Sequence, residues 1–486
     1  MRPRIELLDQ ELKEKIIAEA RSILDSPGVE IHNDRVLARL ADHGAVVDGE
    51  TRRARINDDL IDKALRAAPG SFTVHDALGR PALDLRERNV HFTPGSAAIH
   101  ILDHETGALR TPTTRDYVDY ARLVGGLEHI ASQSTAFIPG DVPEKISDSY
   151  RLYLSLLQGE KPVVTGAFTI EAFGIMKDLQ LAVRGTEEAL REMPLTIFSC
   201  CPTAPLKWSE VTSQNVIDCA EHSIPVEFIS MPLSGFVAPV TLVGTLIQHT
   251  AETLSGIVIS QCARPGAPML YGGSPAIFDV RYETTPMGAI ETMMIDCACA
   301  EIGRHLGLPT QAYISLSDAK QLDAQAGLEA AMGATLAALA GINNVSGPGM
   351  LDFESCLSLE ALVLDNEVCG MALRLARGIE PRDDFPARPH FEELLNEQHL
   401  LISAHTRQHL KAEHFMPGPV IDRAQRSRWR EEGGLSLGER AHREVRRLIN
   451  EAQPSGLDDD VKRQLTERMA AEARRHGMDR LPDHES

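Results

Sequence analysis

Short apolar runs recur along the middle of the chain, and each stops at Gly, Pro, Ser or Cys. They are VHFTPG (90–95), SQSTAFIPG (132–140), PVVTGAF (162–168), LTIFSCCP (195–202), PVEFISMP (225–232), PMLYGG (268–273), TQAYIS (310–315) and INNVSGPG (342–349). Runs this short, rich in β-branched and aromatic residues and bounded by turn residues, predict buried strands. Between them the apolar positions return every three or four residues, which predicts helices. These cover 113–127, 147–157, 170–183, 209–222, 240–262, 287–306, 324–339 and 359–377. Thr113-x-x-Asp116, Ser147-Asp148 and Ser209-Glu210 supply helix-entry signals.

Strand and helix alternate eight times between residues 90 and 380, which predicts an α/β fold, a (β/α)8 TIM barrel. Two open doubly wound domains would need a G-x-G-x-x-G turn after an early strand, and none occurs there. Residues 1–89 read as an N-terminal extension with amphipathic helices over 10–26, 33–43 and 58–68 and a polar β-like passage, GSFTVHDALGRPALDL. Residues 381–486 read as a charged C-terminal helical extension, broken at Pro417–Pro419 and at Pro454-Ser455-Gly456.

Composition adds exclusions. With 486 residues, 43% of them hydrophobic and 24% charged, the chain is ordinary for a globular protein and long enough for a large core. Its longest apolar passages, such as 332–342, are Ala- and Gly-rich and too short to span a bilayer, so no membrane segment is expected. Residues 1–15 are charged and lack the apolar centre of a signal peptide, which makes the cytoplasm the expected location. A net charge of −21 argues against nucleic acid as a partner. The arginines between 423 and 447 alternate with glutamates, as on a solvated helix face. Eight cysteines without a C-x-x-C pair predict reduced, buried thiols, and no H-E-x-x-H spacing appears, so no metal site is expected.

In a barrel the chemistry belongs at the carboxyl ends of the strands. The most polar of those ends follows the seventh run, with Asp318, Lys320, Gln321 and Asp323 in one loop. Aromatic residues recur at similar places: Phe168, Phe198, Phe228, Tyr271 and Tyr313, with Phe137 in the second run. Rings facing a common mouth would hold a quaternary ammonium group by cation–π attraction. Period-2 alternation would instead turn some of them outward against the helices. No G-x-S-x-G elbow is present, and His222, His249 and His305 fall inside helical stretches, so no catalytic acid, base or nucleophile is assigned.

Five passages carry a resemblance: TPGSAAIHILDHETGALRTPTTRDYVDYARLVGGL, SMPLSGFVAPVTLVGTLIQHTAETLSGIVISQ, PGAPMLYGG, SDAKQLDAQAG and LVLDNEVCGMALR. In this order, from about residue 90 to 380, they make the chain resemble the trimethylamine methyltransferase family of corrinoid-dependent methyltransferases. The resemblance implies a TIM barrel whose mouth takes a methylated amine and docks a separate corrinoid-binding protein, with no cofactor held tightly by this chain. The family's trimethylamine branch carries pyrrolysine, placed near Lys320 or Gln321 in this numbering, whereas every residue here is an ordinary amino acid. That departure favours a quaternary amine of the betaine type as methyl donor. A quaternary nitrogen already leaves as a neutral amine, so binding, orientation and desolvation suffice. Asp318 or Asp323 would then face the cation and Lys320 a carboxylate. The alternatives are another N- or S-methylated substrate, or a non-catalytic quaternary-amine binding protein. A homodimer is compatible with the sequence.

Overall fold

The computed structural model describes residues 2–483. Eight strand–helix units run through its centre. The strands are β1 (His91–Thr93), β2 (Gln133–Ser134), β3 (Val163–Thr165), β4 (Thr196–Cys200), β5 (Val226–Phe228), β6 (Met269–Leu270), β7 (Gln311–Tyr313) and β8 (Asn344–Ser346). The helices that follow them are α1 (Thr114–Gly125), α2 (Ser147–Gln158), α3 (Ile170–Arg184) and α4 (Glu210–His222). Then come α5 (Leu242–Ala263), α6 (Ile290–His305), α7 (Ala324–Ala340) and α8 (Leu359–Arg377). Each predicted run thus contains a strand, but the strands are shorter than the runs.

All pairings among the eight strands are parallel, as helical crossovers require. The ladders do not form the single continuous eight-stranded sheet expected from the sequence. They divide into five strands, ordered β6-β5-β4-β3-β2, and three, ordered β7-β8-β1. At the two seams lie single parallel bridges, Phe92–Ile130 and Tyr271–Thr310. The strands that border the seams from the larger sheet, β2 and β6, are two residues long, which leaves little backbone for a ladder on their outer side.

Helix starts follow local chemistry. The Thr113 side chain caps α1 and Asp116 returns the bond, a complete capping box, while Ser209 caps α4. The expected cap at Ser147-Asp148 does not form, because a 3-10 turn runs straight into α2 and no side chain caps it. Asp148 is instead buried and paired to Arg151 at 2.7 Å. The small residues of α7 let it lie close to β7: a Cβ on Gly333 would stand 2.5 Å from the Ser315 backbone nitrogen.

The polar β-like passage before residue 90 is a hairpin, Phe72–His75 paired antiparallel with Pro81–Leu85. Its Val74, Leu83 and Leu85 pack on Val164, Ile197 and Leu270 from β3, β4 and β6. That apolar plug closes the amino-terminal side of the strands, so the carboxyl ends are the side left for chemistry. The main core joins Leu24 and Ile61 of the N-terminal segment to Val445, Leu465 and Met469 near the C-terminus.

Candidate functional site

Above the plug the facing side chains become polar. Glu227, on β5, is fully buried and accepts hydrogen bonds from Ser199 Oγ on β4 at 2.7 Å and from Asn344 Nδ2 on β8 at 2.9 Å. Burial pushes its carboxyl up to about 7 against the opposing pull of those two donors. Gln311 on β7 accepts from the Gly273 backbone N–H at 3.0 Å. Two residues further along β7, the hydroxyl of Tyr313 lies 2.7 Å from Ser96 Oγ, in the loop after β1.

The same corner receives Glu354. This residue sits in the turn of a small hairpin, Met350–Leu351 against Cys356–Leu357, inserted between β8 and α8. The Ser96 backbone N–H donates to its carboxyl group, and its Oε1 is sealed from solvent without any hydrogen-bond partner. Burial pushes Glu354 up to about 8. Tyr313 and Cys201 lie close enough that their own acidities respond to both Glu354 and Glu227. Ser96, Gly166, Ser199 and Cys201 are partly exposed among strands that are otherwise buried, so this corner is a pit open to water.

The backbone that delivers Glu354 is unusual. Asp352, Phe353 and Glu354 have φ of 51°, 57° and 69°, three successive non-glycine residues in the left-handed region. Each such residue costs roughly 1–2 kcal/mol and persists only where its surroundings impose it. The imposing contact comes from the loop after β7. Lys320 Nζ stands 3.7 Å above the Phe353 ring and 3.2 Å from Asp352 Oδ1, and the Asp352 N–H donates to the Ala319 carbonyl at 2.9 Å.

The residues expected from sequence therefore divide by role. Lys320 clips the two loops together and is exposed, as is Gln321. Asp318 is buried and accepts the N–H groups of Met287 and Gly288 at 2.8 and 3.0 Å; burial is the main cause that pushes it up to about 6. Asp323 is the N-cap of α7. Of the five rings, Tyr313 lines the pit and Phe168 stands 59% exposed at the rim, above the buried Arg151–Asp148 pair. The other three turn outward, as strand alternation allows. Phe198 packs on Phe173 of α3, Phe228 on Trp208, and Tyr271 on His249 of α5, with its hydroxyl on Thr250. Phe137 likewise packs on Tyr117 and Tyr120 of α1.

Sequence reasoning missed both pit carboxyls. Glu227 carried a signal, a lone acid inside the apolar run PVEFISMP. Glu354, within LDFESC, had none, because its position depends on a turn conformation that non-glycine residues seldom adopt. The eight cysteines are all free, and seven of them are buried. No helix among the described residues is long and apolar enough to cross a membrane.

The arrangement is that of an α/β protein with a small acid-lined pit at the carboxyl ends of its parallel strands. The chain belongs to the trimethylamine methyltransferase (MTTB) family, whose model matches residues 1–477. It is 28% identical over 465 residues to a glycine betaine methyltransferase of Desulfitobacterium hafniense (strain Y51), covering 95% of this chain and 96% of that one. It is 30% identical to the trimethylamine methyltransferase MttB of Methanosarcina barkeri (strain Fusaro / DSM 804), covering 90% and 89%. With MttB of D. hafniense (strain DSM 10664 / DCB-2) the identity is 28%, over 90% of this chain and 88% of the relative.

Proposed function

We propose that the protein transfers a methyl group from a quaternary amine of the betaine type, bound in the pit, to the corrinoid of a separate partner protein. The observation that carries this reading is the sealed, unpartnered Oε1 of Glu354 beside the Tyr313 ring. A buried carboxyl without a protein cation is stabilised when a ligand brings the charge, and an aromatic face adds cation–π attraction. Relatives named for trimethylamine and for glycine betaine agree with a methylated-amine donor.

The chemistry asked of this chain is modest. In-line displacement breaks one C–N bond, the electron pair stays on nitrogen, and a neutral tertiary amine leaves. Bound to its partner, the corrinoid supplies the acceptor for the methyl group. Glu354 and Tyr313 hold and orient the cation, Ser96 fixes both of them, and the pit strips water from the reacting carbon. Lys320 and the loop 317–323 act at one remove by holding the Glu354 turn. Docking is supported by an exposed apolar rim in the loops after β3, β5 and β6: Phe168, Met231, Phe236, Val240, Val280 and Tyr282. The last two loops are joined by the parallel pair Leu233–Ser234 with Ala276–Ile277 and by the stacked rings of Phe236 and Phe278, 4.8 Å apart.

We also infer that the two parallel sheets are parts of one (β/α)8 barrel. Glu227 and Asn344 sit three strands apart in the order β5-β6-β7-β8, which in a flat sheet is roughly 14 Å. Their 2.9 Å hydrogen bond supports a sheet curled until these strands face each other.

Isothermal titration with trimethylamine, glycine betaine, proline betaine, carnitine, γ-butyrobetaine and choline tests the assignment. Saturable binding of a quaternary amine, followed by methylation of a corrinoid protein reduced to Co(I), is the expected result. Silence from every member, with and without the corrinoid protein, overturns it.

A further inference from the structure

The segment after α8 holds two short helices, α9 (Arg388–Glu397) and α10 (Ala404–Glu413), neither of which has a single buried residue. Phe391, Leu395, Leu401 and Ile402 stand 61–77% exposed along it. A helical pair with no core of its own needs another source of cohesion. At its centre three imidazoles converge on one carboxylate. Asp383 Oδ1 lies 3.0 Å from His405 Nδ1 and 2.9 Å from His409 Nε2. The rings of His390 and His405 are 4.5 Å apart and those of His405 and His409 5.0 Å. His390 Nε2 also meets the Asp383 carbonyl at 2.9 Å, so the turn and the helix pair close on the same point.

These contacts are not hydrogen bonds. His405 Nδ1 and His409 Nε2 are both shielded from solvent and both lack a hydrogen-bond partner despite their short distances to Asp383. Each nitrogen is therefore misaligned for donation to the oxygen beside it. Lone pairs gathered this way suit a cation at their focus. His405 and His409 are four residues apart on α10 and so share a face. The ligand atoms of Asp383, His390 and His405 all lie within 4.8 Å of one another. A tetrahedral ion with bonds of about 2.0–2.1 Å separates its ligands by about 3.4 Å. Asp383 Oδ1 then parts from His405 Nδ1 and His409 Nε2 by a few tenths of an ångström, while His409, which lies outside the group of three, closes on that group by more than about an ångström.

We propose that Asp383, His390, His405 and His409 form a structural site for a first-row divalent metal ion, zinc foremost, that staples α9 and α10 to the turn at residue 383. An all-nitrogen-and-oxygen set without thiolate suits zinc in a closed tetrahedron. A second His/Glu group, His104, Glu360 and His442, does not share the feature: His442 Nδ1 makes an ordinary 2.8 Å hydrogen bond to Glu360, and the two rings stack in parallel.

The test is zinc titration of the full-length protein after chelator treatment, read by a competing chromophoric chelator and by elemental analysis. One tightly held zinc per chain is expected. H405A and H409A should each weaken it by more than the ~10–100-fold typical of losing an outer-shell partner, while H442A leaves it unchanged. Zinc should also slow tryptic cleavage after Arg407 and Lys411 within α10, in the wild type and not in H405A. Absence of stoichiometric metal, or binding that survives H405A/H409A in a chain with wild-type circular dichroism, overturns the site and leaves an ordinary His–Asp ion pair.

Discussion

A carboxyl group shut away from water keeps its proton beyond the ordinary range, and Glu354 moves from 4.5 to about 8 for that reason. The sign of the consequence is fixed. Between those two values the folded protein holds a proton that the unfolded chain has released, so this group makes stability fall as pH rises through that window. A bound cation reverses the preference, because it interacts with the ionised form. Affinity for a quaternary amine should therefore rise about tenfold per pH unit below the folded pKa and level off above it. Glu354→Gln keeps the shape and removes the charge; titration calorimetry from about pH 6 to 9 should show weaker binding and a flat profile. A wild-type profile that is flat, or a variant that keeps the slope, removes Glu354 from the cation's side.

At the scale of elements, the loop after β7 and the hairpin after β8 act as one device. Lys320 is 57% exposed, so its ion pair with Asp352 contributes little to stability, below about 1 kcal/mol, and its cation–π contact a similar amount. Its effect lies in holding three left-handed residues in place. Lys320→Met should change the melting temperature little yet weaken amine binding several-fold, because the Glu354 turn relaxes. Equal losses in both measurements would make Lys320 a plain structural residue. The polar loop was legible in the sequence because Asp318, Lys320, Gln321 and Asp323 cluster at a strand-to-helix passage. Their tasks were not, since an N-cap, a backbone clamp and a loop clip use the same residue types as a ligand site. The rings show a similar limit. The strand ends placed Phe198, Phe228 and Tyr271 correctly along the chain, but with strands of two to five residues the inward parity is set by twist and by the facing helix. Gly256 marks the outcome for Phe228: a Cβ there would lie 2.6 Å from the ring, so the helix is hollowed to receive it.

Across the whole molecule, one side-chain hydrogen bond joins the two parallel sheets, from Asn344 on β8 to Glu227 on β5. Asn344→Leu removes a donor to the buried Glu227, which should cost about 1–3 kcal/mol and lower the melting temperature, with a larger loss above neutral pH as the carboxyl ionises. An unchanged melting curve would mean that β5 and β8 are not braced through the interior. The rim separates the remaining two tasks of the proposed reaction. Phe236 and Val240 are 65% and 75% exposed and lie in the loop after β5, outside the pit, so charged replacements there leave the fold and the amine site intact. If a partner carrying the methyl acceptor seats on that rim, Phe236→Asp/Val240→Asp should bind the amine as tightly as the wild type. Methyl transfer should then fall by at least about tenfold, through a higher KM for the partner, since apolar anchors of this size are each worth a kcal/mol or more at an interface. Normal transfer in that variant would move the docking face elsewhere, whereas parallel loss of amine binding would show that rim and pit are one site.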